Sequence, residues 1–429
     1  MAIVKPFRAW RFTEKAGEIG SLVCPPYDII SEDERLELLR RNPYNMVQLE
    51  LPRDGADPYA TAGETLRRFC ETGVLAQDPR AALYVYDIGF IHGGEEKHLT
   101  GLMTRVHLEE FSKGVVLPHE NTLSKAKEDR LNLMKATGFN FSCIYSLYMD
   151  GEQAPIEALL ARTMEAPPLS ALTDADGLTH RLWAITGEDE IAQVERRFAN
   201  TKLYIADGHH RYETALNYRR YLQAQGALTE GAEYVMMLLV DMRHPGLVVY
   251  PTHRLIQGLE QFDSDSLLRS CESYFTVERG LSYAQAQQRL QVRYDAGDKA
   301  FLYTDDGVSL ALLTLKDVRV MDQFLPALSP VSRQLDVNVL HTLVLERLLG
   351  IDREKLANQT NLTYTRQADE VLTGVKSGAY QCGFLLNPTR VEELRDVAAA
   401  GEKMPQKSTY FHPKPITGLT LHGLVSENS

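Results

Sequence analysis

The stretch "YIADGHHRYETALNYR", residues 204–219, sets Asp207, Gly208, His209, His210 and Arg211 in succession after an apolar run. "KLYIA" reads as a short buried strand and "HHRYETALNYRRYLQAQ" as a helix, with Asp207 and Gly208 as the turn between them. Tyr212, Ala215 and Leu216 then share the face that packs on a sheet, and His210, Glu213 and Asn217 the opposite side. A helix that starts at the carboxyl end of a strand is an anion site, because its first N–H groups and the positive end of its dipole point outward. Gly208 lets the backbone come close to a phosphate. His209, His210 and Arg211 add donors and positive charge. Three other readings use the same residues, and in one of them His209 and His210 are ordinary surface or core histidines. Asp207 could serve only as a helix N-cap. Asp207, His209, His210 and Glu213 are also metal-ligand types. Adjacent histidines rarely aim at one ion, however, and no H-E-x-x-H pattern occurs.

Two further constellations carry chemistry. "LPHENTLSKAKEDRLNL" (117–133) gathers His119, Glu120, Thr122, Lys125, Lys127, Asp129 and Arg130 where a loop enters a helix. A carboxylate such as Glu120 beside a histidine can accept a proton from a substrate hydroxyl. The lysines and Arg130 can hold phosphate oxygens or form a solvated helix face. "KMPQKSTYFHPKPITG" (403–418) places Lys407, Ser408, Thr409, Tyr410, His412 and Lys414 in a proline-flanked loop that could close over a ligand or pack as a surface tail. "CPPYDII" is a weaker, proline-fixed turn presenting Tyr27 and Asp28. The chain has no G-x-x-x-x-G-K-[ST], G-x-G-x-x-G or G-x-S-x-G motif.

Helical and strand patterns alternate along the 429 residues, which favours an α/β architecture. Ser31 with Glu34 marks a capped helix start, and 58–73, 125–138 and 189–201 read as helices. "ALYVYDIGFIH" and "KHLTGLMTRVHL" flank "GGEE" as a β-hairpin, and "EYVMMLLVDM" with "GLVVYPTHRLI" reads as a second. "LDVNVLHTLVLERLLG" (335–350) reads as an amphipathic helix. The pattern restarts near residue 260, giving domains 1–260 and 261–429.

A net charge of −12 without a basic block argues against a general nucleic-acid surface. No run reaches the ~18 apolar residues of a membrane helix. Five scattered cysteines with no C-x-x-C pair, and an N-terminus lacking a signal-peptide core, predict a cytoplasmic protein with reduced thiols.

The stretches "PPYD", "PHE-x-T", "IADGHHRYETA" and "MPQKSTYF" resemble the hallmark segments of a widespread bacterial and archaeal family of unknown function. That resemblance covers nearly the whole chain. More distantly, strand–"DGHHR"–helix resembles the phosphate-binding motif of the ParB/sulfiredoxin superfamily, which includes nucleotide-dependent kinases of free L-serine. The resemblance implies a mixed-sheet core of that type with large insertions, plus a C-terminal α/β region. It also implies that Asp207, Gly208, His209, His210 and Arg211 bind nucleotide phosphates, and that Glu120 is the base. The stretch between Glu120 and Asp207 exceeds the compact superfamily core, so an insertion must loop out.

The resulting expectation is an ATP- or ADP-dependent kinase of a small hydroxylated metabolite, with free L-serine leading. Mg²⁺ bridges the phosphates with Asp207 as a ligand. Arg211 and Lys407 offset phosphoryl charge, with Ser408 and Thr409 beside them. His119, Thr122, Lys127 and Arg130 contact the acceptor. The alternatives are a nucleotide-binding switch without transfer, and a metal-dependent hydrolase built on Asp207, His209 and His210. A homo-oligomer is compatible with each.

Overall fold

The computed structural model describes residues 1–424 except 121, 123, 152, 353, 354 and 356–359. The chain forms two compact units: Met1–Pro118, Thr122–Leu247 and Pro413–Ser429 in the first, His119–Asn121 and Val248–His412 in the second. The fold is α/β with a large mixed sheet.

The first unit's sheet is built from β1 (Val4–Lys5), β2 (Leu83–His92), β3 (Glu95–His107), β4 (Val116–Leu117), β5 (Ile144–Tyr148), β6 (Ser170–Thr173), β7 (Thr179–Ile185), β8 (Leu203–Asp207) and β9 (Tyr234–Asp241). Their order is β4-β8-β5-β9-β3-β2-β7-β6, with β1 on β3. β8 is parallel to β4 and antiparallel to β5. The expected hairpin is β2–β3. His92 pairs with Glu95 across Gly93 and Gly94, whose φ values of 63° and 83° are those a two-residue type I′ turn needs.

The helix α1 (Glu32–Arg41) starts as expected, with the Ser31 hydroxyl accepting from Glu34 N at 3.2 Å. The helices at 58–73, 125–138 and 189–201 appear as α2 (Pro58–Glu71), α3 (Ser124–Thr137) and α4 (Glu188–Phe198). Next comes α5 (His209–Ala224), whose Tyr212, Ala215 and Leu216 are buried in the same core as Leu203 and Ile205 of β8. Burial of each large side chain there is worth roughly 1.5–3 kcal/mol. The Tyr212 hydroxyl fixes the helix further, donating to Glu109 O at 2.7 Å while its ring stacks on Phe111.

The second unit holds β10 (Val248–Tyr250), β11 (His253–Ile256), β12 (Phe275–Leu281), β13 (Ala300–Thr304), β14 (Leu310–Leu315), β15 (Leu362–Thr365), β16 (Cys382–Leu386) and β17 (Tyr410–His412). Its main sheet has the order β12-β14-β13-β16-β11-β15 and is antiparallel throughout. β10 pairs with β17.

Two expectations, the second hairpin and the helix at 335–350, are corrected. The second hairpin does not form. β9 takes its hydrogen bonds from β3 and β5, while β10 and β11 find theirs in β17 and in β15 and β16. The two compact units divide at 247/248, and residues 413–424 belong with the first. The segment 335–350 is not one amphipathic helix. A short α-turn, Asp336–Val339, runs into a π-helix, Leu340–Glu346, in which residues 340–345 are all buried. Over 340–345 no face is turned to water, and exposure resumes only at Glu346, so no amphipathic stripe runs along the segment.

Among the described residues no helix is long and apolar enough to cross a membrane. All five cysteines are free thiols, four of them buried.

Candidate anion site at the start of α5

β8 ends at Asp207, Gly208 turns the chain, and α5 begins at His209. Gly208 has φ +96°, a conformation that side-chain-bearing residues avoid. It is also the N-cap residue, and it offers no capping side chain. The backbone at the helix start is therefore not closed off by a hydroxyl or carboxylate cap. A Cβ on Gly208 would lie 3.0–3.1 Å from the Arg211 guanidinium, so that side chain folds directly back over the turn.

Asp207 does not act as the N-cap. Its Oδ2 accepts from Arg211 Nη2 at 2.6 Å, and its Oδ1 accepts from Lys414 Nζ. Arg211 Nη1 donates to the Cys143 carbonyl. Burial alone would raise the Asp207 carboxyl, but the charges of Lys414 and Arg211 outweigh it and hold the group well below the usual carboxylate range. In direct contact one carboxylate meets two cations, and the carboxylate of Asp28 also bears on Arg211. A partly buried positive charge at a helix start is what a phosphate needs.

The polar side of α5 is occupied as well. Thr122 Oγ1 and Lys127 Nζ both donate to Glu213 Oε2, at 2.8 and 2.7 Å. Burial pushes the His210 imidazole below its ordinary value. Glu213 opposes that shift, and Lys127 and Arg211 add to it. His209 is buried at the helix start.

Arg130 is fixed by structure. It donates to Asp129 Oδ2 at 2.8 Å and to the Glu50 carbonyl at 2.6 Å, and it lies 4.2 Å from the centre of the Tyr27 ring. Glu50, Ser142, Arg130 and Arg211 line a cavity of about 40 Å³, room for a water or two. Burial raises the Glu50 carboxyl despite Arg130, and Ser142 donates to it at 2.9 Å. Burial likewise pushes Tyr27 up to about 12.

The other expected residues lie in the second unit. His119 is buried, with Nε2 3.0 Å from Thr409 Oγ1, and its carbonyl accepts from Met404 N. Glu120 is half-buried at a bend. Lys407 sits at φ +57°, its carbonyl accepting from Arg254 at 3.3 Å. Ser408 is buried and donates to Pro405 O at 2.6 Å. Tyr410–His412 is strand rather than open loop.

The first unit thus brings together Asp207, Arg211 and Lys414, and separately Thr122, Lys127 and Glu213. Sequence reasoning left out Glu50 and kept Lys414 only as one donor of a loop. Neither has a local signal, because each acts through partners far along the chain. Among the described residues no group of three His, Cys, Asp or Glu could hold a metal.

A family model described as "Protein of unknown function (DUF1015)" matches residues 4–338. No curated protein matches the chain. Among solved structures, a conserved hypothetical protein from Pyrococcus furiosus is 14% identical with a TM-score of 0.34, covering 75% of this chain and 93% of its own. A mutant free serine kinase in complex with AMP is 12% identical with a TM-score of 0.38, covering 76% and 92%. SbnI with a C-terminal truncation, from Staphylococcus aureus, is 12% identical with a TM-score of 0.36, covering 76% and 90%.

Proposed function

The chain belongs to the DUF1015 family of proteins of unknown function, and we propose that this member is a nucleotide-dependent kinase of a small hydroxylated metabolite, free L-serine foremost. The observation that supports this reading is the Gly208 turn, where a helix start meets the Arg211–Asp207–Lys414 cluster. Phosphoryl transfer asks little covalent chemistry of a protein. It asks for positioning and for charge placed against the phosphoryl oxygens. The α5 start and Arg211 supply both in this proposal.

ATP or ADP is the co-substrate. The acceptor hydroxyl oxygen attacks the terminal phosphorus, the bond to the bridging oxygen breaks, and the nucleotide leaves with one phosphate fewer. The hydroxyl proton passes to Glu120, a role taken from the sequence resemblance. Lys407, Ser408, Thr409, His119, Thr122, Lys127 and Arg130 keep the supporting parts given above as proposals. A cytoplasmic location belongs to the same proposal.

A resident Mg²⁺ does not fit Asp207, since both its oxygens are taken by cations. Any Mg²⁺ arrives on the oxygens of the nucleotide itself. The hydrolase alternative lacks a donor set among the described residues.

The test is calorimetric titration with ATP, ADP and inorganic phosphate, followed by a transfer assay with L-serine. Arg211→Ala removes a charge-assisted hydrogen bond of roughly 1.5–3 kcal/mol, so phosphate affinity should fall about tenfold or more in a folded protein. Unchanged affinity sinks the site. Binding without transfer to any acceptor leaves a nucleotide switch instead.

A further inference from the structure

The second unit contains a cleft of about 460 Å³ that the proposed kinase chemistry does not use. Its floor runs across three neighbouring strands. Leu302 of β13 pairs with Leu385 of β16, and His253 of β11 comes next, its Nδ1 accepting from Leu386 N at 3.2 Å. One wall is the helix α6 (Tyr283–Ala296), started by a Ser282–Gln285 capping box. Its Tyr283, Gln287, Leu290 and Gln291 stand at i, i+4, i+7 and i+8, one helical face, and all four line the cleft. Leu290 is buried on the sheet, while Gln287 and Gln291 are exposed. The helix α7 (Ala368–Lys376) contributes only Ala368, whose methyl group leaves the space unfilled.

The polar groups of the cleft are uncharged. Burial, with Arg254 adding to it, pushes the His253 imidazole down to about 4, so the ring is neutral at pH 7. Its Nδ1 accepts a backbone hydrogen bond, so its proton sits on Nε2, which is a donor. Gln287 Nε2 donates to the Tyr283 hydroxyl at 2.5 Å, and Gln291 Nε2 donates to Asp295 Oδ1 at 2.8 Å. Both amides are thereby fixed, with their carbonyl oxygens left as acceptors. Among the described residues no Asp, Glu, Lys or Arg lines the cleft. Charges of both signs bear on it from outside, Asp369 on Tyr283 and Arg254 on His253. Arg254 alternates with His253 along β11, so its side chain leaves the opposite sheet face, where it lies 5.2 Å from the centre of the Tyr364 ring.

This distribution selects a ligand. An ion entering the cleft would give up water with no charged group in the lining to replace it. A plain hydrocarbon would cover the leucines but desolvate the glutamines without return. A hydroxyl both donates and accepts, so it answers a fixed amide carbonyl and a ring N–H alike. A saturated sugar ring carries several hydroxyls around its edge and a C–H face that rests on Leu302, Leu385 or the Tyr283 ring. The volume is that of a small-molecule site. We infer that the cleft between α6 and the β11–β16–β13 floor binds an uncharged polyhydroxylated ring, a neutral mono- or disaccharide.

The experiment is a ligand-observed NMR titration of the full chain with glucose, galactose, mannose, maltose and trehalose in turn. At least one should bind saturably with one site per chain. Gln291→Trp, at an exposed position lining the cleft, should weaken that binding about fivefold or more. If Gln291→Trp does not fold, Gln287→Ala decides in its place, with an expected loss of about threefold or more from one hydrogen bond. Three outcomes overturn the inference. None of the five sugars saturates up to about 50 mM, the deciding variant falls short of its expected loss, or glucose 6-phosphate or glucosamine binds about tenfold more tightly than every neutral sugar. The last would make the cleft a site for an ion. None of the cleft residues serves the proposed kinase chemistry, so failure of that proposal would leave the sugar titration untouched.

Discussion

Asp207 and Arg211 face each other across a single glycine turn, Oδ2 to Nη2 at 2.6 Å. The carboxylate therefore orients the cation that would meet a phosphate. Lys414 completes the clamp on the other oxygen.

Gly208→Ala tests the turn. At φ +96° an added methyl is strained and presses on the guanidinium 3.0–3.1 Å away. Expected is a loss of about 1–2 kcal/mol in urea unfolding, with weakened phosphate binding because Arg211 is displaced. Full stability and affinity would show that the glycine is incidental.

The pH dependence follows from Asp207. Its folded pKa is lowered, so its contribution is fully present above the unfolded value of about 3.9 and is lost as pH falls toward the folded value. Asp207→Asn should be less stable than the parent at pH 7. The gap should narrow as unfolding is measured in progressively more acid buffer. A gap constant from pH 7 down to about 3 would mean the carboxylate is not the source.

Glu213 gives a spectroscopic prediction. It raises the His210 pKa against the effect of burial, and it anchors Thr122 and Lys127. In Glu213→Gln the His210 imidazole should titrate lower than in the parent, followed by proton NMR of the ring. The half-exposed ion pair itself is worth at most about 1 kcal/mol, so the fold should persist. An upward shift would contradict the assigned contacts.

Glu120→Gln separates binding from transfer. If Glu120 is the base, nucleotide affinity should hold while kcat for phosphoryl transfer drops about 10²–10⁴-fold. A kcat within about threefold of the parent would remove Glu120 from the mechanism.

The strand–turn–helix at 203–224 was legible because its signals are local: an apolar run, a glycine, then helical spacing. The β2–β3 hairpin was legible from its two glycines for the same reason. The partnering of β9 was not, because an apolar strand does not reveal which strand it will pair with. Nor does the sequence around 340 announce a π-turn, since its apolar residues satisfy a helical period until the burial of all of 340–345 is known. Lys414 is the clearest case at the site. Only the folded chain shows that a lysine two residues beyond His412 pairs with Asp207.

That pairing sets a timetable. Of the residues in the clamp, Asp207 and Arg211 leave the ribosome well before Lys414, and the stretch 248–412 that forms the second unit is made in between. The returning tail is bound into the first unit at several points: Leu421 pairs with Trp10, and Leu424 N donates to Gly138 O at 2.7 Å. Contacts so distant in sequence form late. A nascent chain that has already built β8 and α5 thus carries an uncompleted clamp, and the anion site matures only after the whole of 248–412 has been made.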